Sequence, residues 1–196
     1  MIAVGHRRIS LAPGVCFDPE LHEYTLGGMR LSGVTGRIAR ELGIDYGRAG
    51  GMLSDRCGEG TNIHTWVQEW VDTGVMSTVH PGALWVRDEL ERRYAGDEIC
   101  TVYSEVLVSD LRQYASAADI IVEHDGIWDI WDIKTGAFKP EYLAWQLGCY
   151  SWFMSLQGLR TGLCGCLCVK DRMSYRVLPR MSGDIRRLLY GSVSET

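Results

Sequence analysis

The strongest constraint on the fold of this chain is an Asp-Gly pair, Asp125-Gly126, between two apolar runs. The runs cover residues 117–122 and 127–133. Both residues of a two-residue hairpin loop adopt positive φ angles, which Asp and Gly tolerate better than most residues. The pattern therefore predicts a β-hairpin with Asp125-Gly126 as its loop.

The register of this hairpin predicts a cluster of charged side chains. With a two-residue loop His124 pairs with Ile127, and counting back places Asp119 opposite Asp132. Two carboxylates that face each other on one side of a sheet lie about 4.5–5.5 Å apart at Cβ and repel. A bound cation would remove that repulsion. Lys134 projects from the same face, about 6.6–6.8 Å farther along the strand, and two acids with a lysine are typical of metal-dependent hydrolases.

Alternation along the two strands decides which other acids belong to the cluster. Asp129 points to the face opposite Asp132, so we exclude it as a ligand. Glu105 joins the cluster if residues 110–114 form a five-residue loop, because it then lies opposite Asp119. Carboxylate oxygens suit Mg²⁺ or Mn²⁺, and a lysine beside such an ion stabilises the charge that develops in phosphodiester hydrolysis. A solvated sheet face with scattered charges is the alternative.

The rest of the chain predicts one α/β (α+β) domain with a central mixed sheet flanked by helices. Strands are predicted at 100–108, 161–170 and 174–178, and a hairpin at 17–31 around Gly27-Gly28. Helices are predicted at 32–42 with a cap at Ser32 or Thr35, and at 61–72, 81–94, 141–156 and 183–190. Residues 45–60 are Gly-rich and predict a mobile connection. The domain then divides into an N-terminal hairpin and helix (1–59), a core with the candidate site (60–180), and a C-terminal helix and tail (181–196).

Composition places the chain among globular proteins and gives little support for nucleic-acid binding by bulk charge. Its 196 residues are 46% hydrophobic and carry a net charge of −5. No apolar run reaches the roughly 20 residues of a membrane helix, and residues 1–10 lack a secretory h-region, so we expect a cytoplasmic protein without membrane contact. A basic concentration that includes Lys170, Arg172 and Arg176 could follow a phosphate backbone. A solvated charged face, or an interaction module that binds no nucleic acid, is the alternative.

The cysteines argue against both disulfides and a metal cluster. The chain has 7 cysteines, an odd number, with no secretion signal. Cys164, Cys166 and Cys168 alternate within an apolar run, whereas the ligands of an iron–sulfur cluster usually lie on loops. The pattern favours small buried side chains over an iron–sulfur cluster.

Four short motifs occur in a recognisable order. They are Gly60-x-x-x-His64, Asp119, Asp132-x-Lys134 and Gln146-x-x-x-Tyr150. This set resembles the PD-(D/E)XK nuclease superfamily, specifically its RecB-like branch, which includes the lambda-type phage exonucleases. The likeness covers residues 60–150, and residues 21–35 resemble the N-terminal hairpin and helix of small phage-type members. Two positions depart from the family pattern: Ala118, where many relatives have a pattern containing Gly, and Asp132, where Glu is commoner.

The resemblance implies a restriction-endonuclease-like core and a divalent-metal-dependent DNA nuclease, of phage-type exonuclease character, in a bacterial host cell. The implied metal ligands are His64, Asp119, Asp132 and the carbonyl of Ile133. Lys134 is implied as the catalytic lysine, and Gln146 and Tyr150 as groups that orient DNA or that lysine.

Other activities and assemblies remain open at this stage. A structure-specific or nicking endonuclease on the same core is one alternative, and a non-catalytic nucleic-acid-binding or assembly protein is another. By analogy with the family, a single-strand annealing or other recombination protein is a candidate partner and a homo-oligomer a candidate assembly.

Overall fold

The computed structural model describes residues 3–4, 9–44, 53–97 and 100–191, and for 3–4 and 53–61 it describes the backbone alone. The described residues form one α+β domain with five helices and a mixed β-sheet. The strands are β1 (Ala3–Val4), β2 (Val15–Asp18), β3 (Glu23–Leu26), β4 (Met29–Gly33), β5 (Cys100–Ser109), β6 (Tyr114–His124), β7 (Ile127–Lys134), β8 (Arg160–Cys168) and β9 (Met173–Arg176). The helices are α1 (Val34–Glu41), α2 (Leu53–Thr73), α3 (Pro81–Arg93), α4 (Pro140–Leu156) and α5 (Ser182–Tyr190).

Strand β6 organises the sheet, because it has different partners along its length. On one side β5 pairs with it from Ser109↔Ala115 to Cys100↔His124. On the other side β4 pairs only with residues 114–115 of β6, in parallel. The hairpin partner β7 pairs only with residues 120–124, in antiparallel fashion. Residues 116–119 of β6 therefore face an opening between β4 and β7, and Asp119 lies at its edge.

Helices cover both faces of the sheet, and each face has its own hydrophobic core. Helices α1, α4 and α5 bury Ile38, Leu147 and Leu188 against one face. Helices α2 and α3 bury Val67 and Val86 against the other. A side chain from either layer can therefore reach an opening between strands. Among the helices of the described residues, none is both long enough and apolar enough to cross a membrane.

The hairpin that set the predicted register is confirmed. Asp125 and Gly126 have φ angles of 50° and 70°, and His124 pairs with Ile127. The register assumed for the preceding loop is also confirmed, since Ser109 pairs with Ala115. Counting along these pairs puts Glu105 and Asp119 at the same level of the sheet.

Helix α2 begins at Leu53, so the prediction of a connection through residue 60 was wrong for residues 53–60. Adding a residue to an existing helix gains one hydrogen bond for each residue fixed, whereas nucleation is costly. The packed segment after residue 61 supplies the nucleus, and the two glycines in the extension cost only about 1 kcal/mol each. Residues 45–52 lie outside the described part of the chain.

The N-terminal region differs from the prediction in two ways. Residues 15–33 form three strands rather than one hairpin, because Asp18 Oδ1 accepts hydrogen bonds from the amides of Glu20 and Leu21 and closes a second turn. The cap of α1 is Gly33, not Ser32 or Thr35. Ser32 is held in the sheet by its pairing with Tyr114, so the helix starts later.

Candidate functional site

Glu105 and Asp119 lie where the β5–β6 ladder is interrupted. The pairs Ser104↔Ile120 and Val106↔Ala118 flank the two acids, which do not pair themselves. Glu105 has a φ of 49°, in the left-handed region that a non-glycine residue adopts at an energetic cost. Such strain inside a strand is found mostly at functional sites.

The interruption changes which face the side chains point to. Before it, Val102 of β5 and Ile120 of β6 pack under α2 and α3. Beyond it, Val106 and Ala118 pack under α4. All four residues are even-numbered, so a strict alternation would have put them on one face. Both acids sit at the change of face, where the two helical layers can reach them.

Helix α2 brings His64 to this point. Its Nδ1 lies 3.8 Å from Glu105 Oε1 and 3.7 Å from Asp119 Oδ1. One ligand atom from each of the three residues lies within 4.8 Å of the others. Ile63 and Val67 on the same helix are buried, and this packing fixes the helix that carries the imidazole.

The charge of His64 follows from its neighbours. Burial lowers the pKa of the imidazole, but the carboxylates of Asp119 and Glu105 outweigh this and raise it to about 9. Without a bound metal ion, His64 is therefore a cation near neutral pH that compensates the two acids. A metal ion at this point would take over that role.

Asp132 is the most buried acid of the site, with a side chain only 1% exposed. Lys134 Nζ donates a hydrogen bond to its Oδ1 at 2.8 Å. Its Oδ2 lies 2.7 Å from the same Nζ but receives no hydrogen bond. Burial raises the pKa of Asp132 to about 6, although Lys134 opposes the shift. Burial also lowers the pKa of Lys134, yet Asp132 and Asp119 together raise it above its usual value.

Asp119 is joined to β7 beyond the end of the paired region. Its Oδ2 accepts a hydrogen bond from the amide of Ile133 at 2.7 Å. This contact holds Asp119 beside the strand of Asp132 and Lys134, as the hairpin register predicted. Ile133 contacts the site through its N–H group. The predicted role of its carbonyl oxygen as a metal ligand stays a prediction.

The predicted pair on α4 reaches the site from the other layer. Gln146 Nε2 donates to the hydroxyl of Tyr150 at 2.9 Å. That hydroxyl lies 3.0 Å from Ser116 Oγ, within hydrogen-bonding distance. Gln146 Oε1 is buried without a hydrogen-bond partner among the described residues. The α4 pair is therefore attached to β6 close to Asp119.

Two residues of the site were missed by sequence reasoning. Ser116 is one, because alternation would place it on the face opposite Asp119, and the change of face described above is not visible in the sequence. Tyr24 of β3 is the other. Burial raises the pKa of its hydroxyl, which interacts with Ala117 and Ser116 and lies near Glu105 and Asp119. Nothing in the local sequence around Tyr24 indicates this long-range contact.

Asp129 and His124, by contrast, belong to a separate cluster on the other face. Asp129 Oδ2 accepts from the hydroxyl of Tyr94 at 2.8 Å, and its Oδ1 accepts from the amide of Leu163 at 2.6 Å. His124 Nε2 lies 3.2 Å from Asp129 Oδ2. The exclusion of Asp129 from the acid cluster is consistent with this geometry.

The acids line a cleft of about 680 Å³, called here the acidic cleft. Its walls come from β3, β4 and α1 on one side and from α2, β6 and α4 on the other. His64, Glu105, Asp119, Gln146 and Tyr150 all line it.

The predicted basic residues lie elsewhere. Lys170 and Arg172 line a separate cleft of about 570 Å³ near Thr135 and Gly136. Arg176 is exposed on β9, where it pairs with Gly165. The structure does not bring these three residues into the acidic cleft.

Comparisons of the chain with protein-family models, with curated proteins and with solved structures found no match. Function is therefore inferred from the chemistry of the site. Two carboxylates and a histidine with ligand atoms a few ångströms apart can hold a divalent ion. The buried acid–lysine pair beside them holds an ammonium group in a fixed position. The arrangement suits hydrolysis of a substrate that carries negative charge.

Proposed function

We propose that the protein is a divalent-metal-dependent DNA nuclease that hydrolyses phosphodiester bonds in the acidic cleft. The observation that carries the proposal is the convergence of His64, Glu105 and Asp119 next to the buried pair of Asp132 and Lys134. The order of motifs that resembles RecB-like nucleases supports the choice of substrate.

The two carboxylates suit Mg²⁺ or Mn²⁺, and the imidazole nitrogen of His64 favours the transition metal Mn²⁺ over Mg²⁺. In an octahedral site with bonds of about 2.1 Å, adjacent ligand atoms lie about 3.0 Å apart and opposite ones about 4.2 Å. The separations from His64 Nδ1 to the two acids are 3.7 and 3.8 Å, so small side-chain rotations bring the three ligands to one ion. Asp132 does not belong to this group of ligand atoms, and its Oδ2 lies 2.7 Å from Lys134 Nζ, so its role as a ligand rests on the resemblance alone. When bound, such an ion lowers the pKa of a coordinated water and offsets charge on the phosphate.

Lys134 would stabilise the developing negative charge on the phosphate. Its raised pKa keeps the ammonium protonated at neutral pH. The hydrogen bond to Asp132 fixes Nζ in place before substrate arrives, and such preorganised charge is an effective form of catalysis in a buried site. Its side chain as a whole is 30% exposed, but Lys134 and Asp132 are not among the residues that line the acidic cleft, so the proposal requires substrate to reach Nζ from the Asp119 side.

Gln146 and Tyr150 would act as positioning residues. Tyr150 is 2% exposed and Gln146 is 5% exposed. The contact between Tyr150 and Ser116 ties α4 to β6 three residues before Asp119. Gln146 Oε1, which is buried and has no hydrogen-bond partner among the described residues, is a spare acceptor in the wall of the acidic cleft.

The test is digestion of linear and covalently closed circular DNA with Mg²⁺, Mn²⁺ or EDTA. We expect metal-dependent cleavage in the wild type, with losses of at least about 100-fold in Asp119→Asn and Lys134→Ala, because one fixed charge at a reacting centre contributes about 10²–10³ in rate. Glu123→Gln, an acid on the same strand outside the site, is the matched control and should retain activity. Full activity in both site variants would refute the proposal. Cleavage of linear but not circular DNA would identify an exonuclease, and cleavage of both an endonuclease.

A further inference from the structure

A second cleft meets the acidic cleft at the metal-binding residues, and its lining has a different character. This second cleft measures about 670 Å³ and is called here the apolar cleft. The two clefts share Phe17, His64, Glu105 and Ala117. A substrate held at Glu105 and His64 therefore has open space on both sides.

The apolar cleft is nearly free of charge. Of the described residues that line it, only His64 and Glu105 carry a charge, and both belong equally to the acidic cleft. Ile9, Val15 and Leu107 supply apolar walls. Among the described residues that line the apolar cleft, a phosphate has no cationic partner other than His64. An uncharged, flat and partly apolar group is a much better occupant.

An aromatic side chain stands at the junction of the two clefts. Phe17 of β2 lies in both linings and is half-buried. Its ring stacks on Tyr24 with centroids 4.8 Å apart and an interplanar angle of 27°. The stack holds the ring beside the acids, and a fixed ring in this position is a platform on which a nucleobase can stack.

A polar side chain supplies hydrogen bonds to the same space. Gln68 lies one turn after His64 on α2 and lines the apolar cleft. Its amide can both donate and accept, as the edge of a base requires.

We propose that the apolar cleft is a nucleobase subsite, which takes the base of the nucleotide next to the scissile phosphate and stacks it on Phe17. The inference rests on the proposed nuclease function and deepens it. A base can enter this cleft only after leaving its partner strand, and unpairing and unstacking a base costs free energy. The substrate class is therefore nucleic acid that is single-stranded at the point of cleavage.

The first test uses abasic substrates. A single-stranded oligonucleotide is prepared with a tetrahydrofuran abasic residue at each position in turn, and cleavage rates are compared with those of the parent strand and of a blunt duplex. We expect the parent strand to be cleaved faster than the duplex. An abasic residue next to the cleaved bond should slow cleavage by about 5- to 150-fold, the value of one base–aromatic stack.

Substitutions of Phe17 test whether the slower cleavage of abasic strands arises in the apolar cleft. Phe17→Ala should lose a similar factor on the parent strand and become insensitive to the abasic residue, whereas Phe17→Tyr keeps the ring and the sensitivity. The matched control is Met29→Ala, at an exposed apolar residue of the nearby strand β4. Equal wild-type rates on parent and abasic strands would overturn the subsite while leaving the nuclease intact. Absence of cleavage on every substrate would instead refute the proposed function.

A binding measurement covers the case in which Phe17→Ala fails to fold. Cys16 is exposed and lines the apolar cleft, so its reaction with N-ethylmaleimide reports occupancy. The protein carries Cys57→Ser for this experiment, so that the cysteines that remain besides Cys16 are all buried. With Ca²⁺ present, the intact oligonucleotide should slow modification more than an oligonucleotide made of abasic residues. Equal protection by the two would overturn the proposal.

Discussion

Replacing Lys134 by Met leaves the carboxyl group of Asp132 buried without its cation, and the cost should depend on pH. Asp132 has a pKa of about 6 in the folded protein, against roughly 3.9 in an unfolded chain. Removing the lysine raises the folded pKa further, because the carboxylate loses the cation that contacts it and keeps only the more distant His64. The native state of the variant then binds a proton that the unfolded chain does not. Its stability deficit relative to wild type therefore grows with rising pH and shrinks with falling pH.

Protonation sets a ceiling on this deficit. Breaking a buried ion pair commonly costs about 3–5 kcal/mol. Here the carboxyl group can become neutral instead of remaining charged, so the loss cannot exceed about 1.4 kcal/mol for each pH unit above 6. We expect at most about 2–3 kcal/mol at pH 8 and almost nothing at pH 6. For a domain of this size the pH 8 value corresponds to a Tm lower by about 5–11 °C.

Thermal unfolding by circular dichroism between about pH 6 and pH 8.5, with EDTA to exclude metal binding, measures the effect. Met retains much of the aliphatic volume of Lys, which limits the packing loss. Lys170→Met, at a lysine outside the ion pair, is the control. A deficit that does not change with pH, or one that increases on acidification, would refute the electrostatic reasoning.

Three other predictions follow from the packing and charge of the site. Gly165→Ala should lower the free energy of unfolding by about 1–3 kcal/mol, because a Cβ there would lie 2.3 Å from the Trp131 ring. Urea titrations measure this loss, with Gly183→Ala as the control because a Cβ at Gly183 meets open space. Equal losses in the two variants would contradict the prediction. Binding of Mn²⁺ at about pH 7.5 should release a proton from His64, whose pKa is about 9, so metal affinity should rise with pH up to about 9. Calorimetry in two buffers of different ionisation enthalpy measures the number of protons released. Identical heats of binding in the two buffers would argue against proton release. Tyr150→Phe should lower the free energy of unfolding by about 1–3 kcal/mol, because the buried amide of Gln146 loses its acceptor and Ser116 keeps only Tyr24. Denaturation curves that superimpose on those of the wild type would show that the contact contributes nothing.

The parts of the site that sequence could predict are those set by local rules. The loop residues Asp125 and Gly126 fix the hairpin register, and this register alone brings Asp119 beside the strand of Asp132 and Lys134. The predicted level of Glu105 likewise followed from a count of residues in one loop. Counting residues predicts these positions because the length of a hairpin loop leaves few alternative registers for its two strands.

The parts of the site that could not be predicted depend on contacts between segments that are far apart in the sequence. Ser116 contacts Tyr150 because the side chains of β5 and β6 switch to the other face of the sheet at Glu105 and Asp119. No pattern in the sequence indicates such a switch. Tyr24 reaches the acids because β4 pairs with the start of β6, a pairing of segments about 80 residues apart. The early start of α2 depends on packing that stabilises the helix from its later turns.

The left-handed backbone of Glu105 has a consequence for how the protein balances stability against activity. A glycine at this position would adopt a φ of 49° without the penalty of about 1–2 kcal/mol that a side chain brings. Folding alone would therefore be served better by Glu105→Gly, which also removes a carboxylate from the crowded acid cluster. A variant that unfolds at higher temperature yet binds metal more weakly would show that this chain gives up conformational stability to keep an acid at one point. Selection for thermal stability alone would remove that acid from the site.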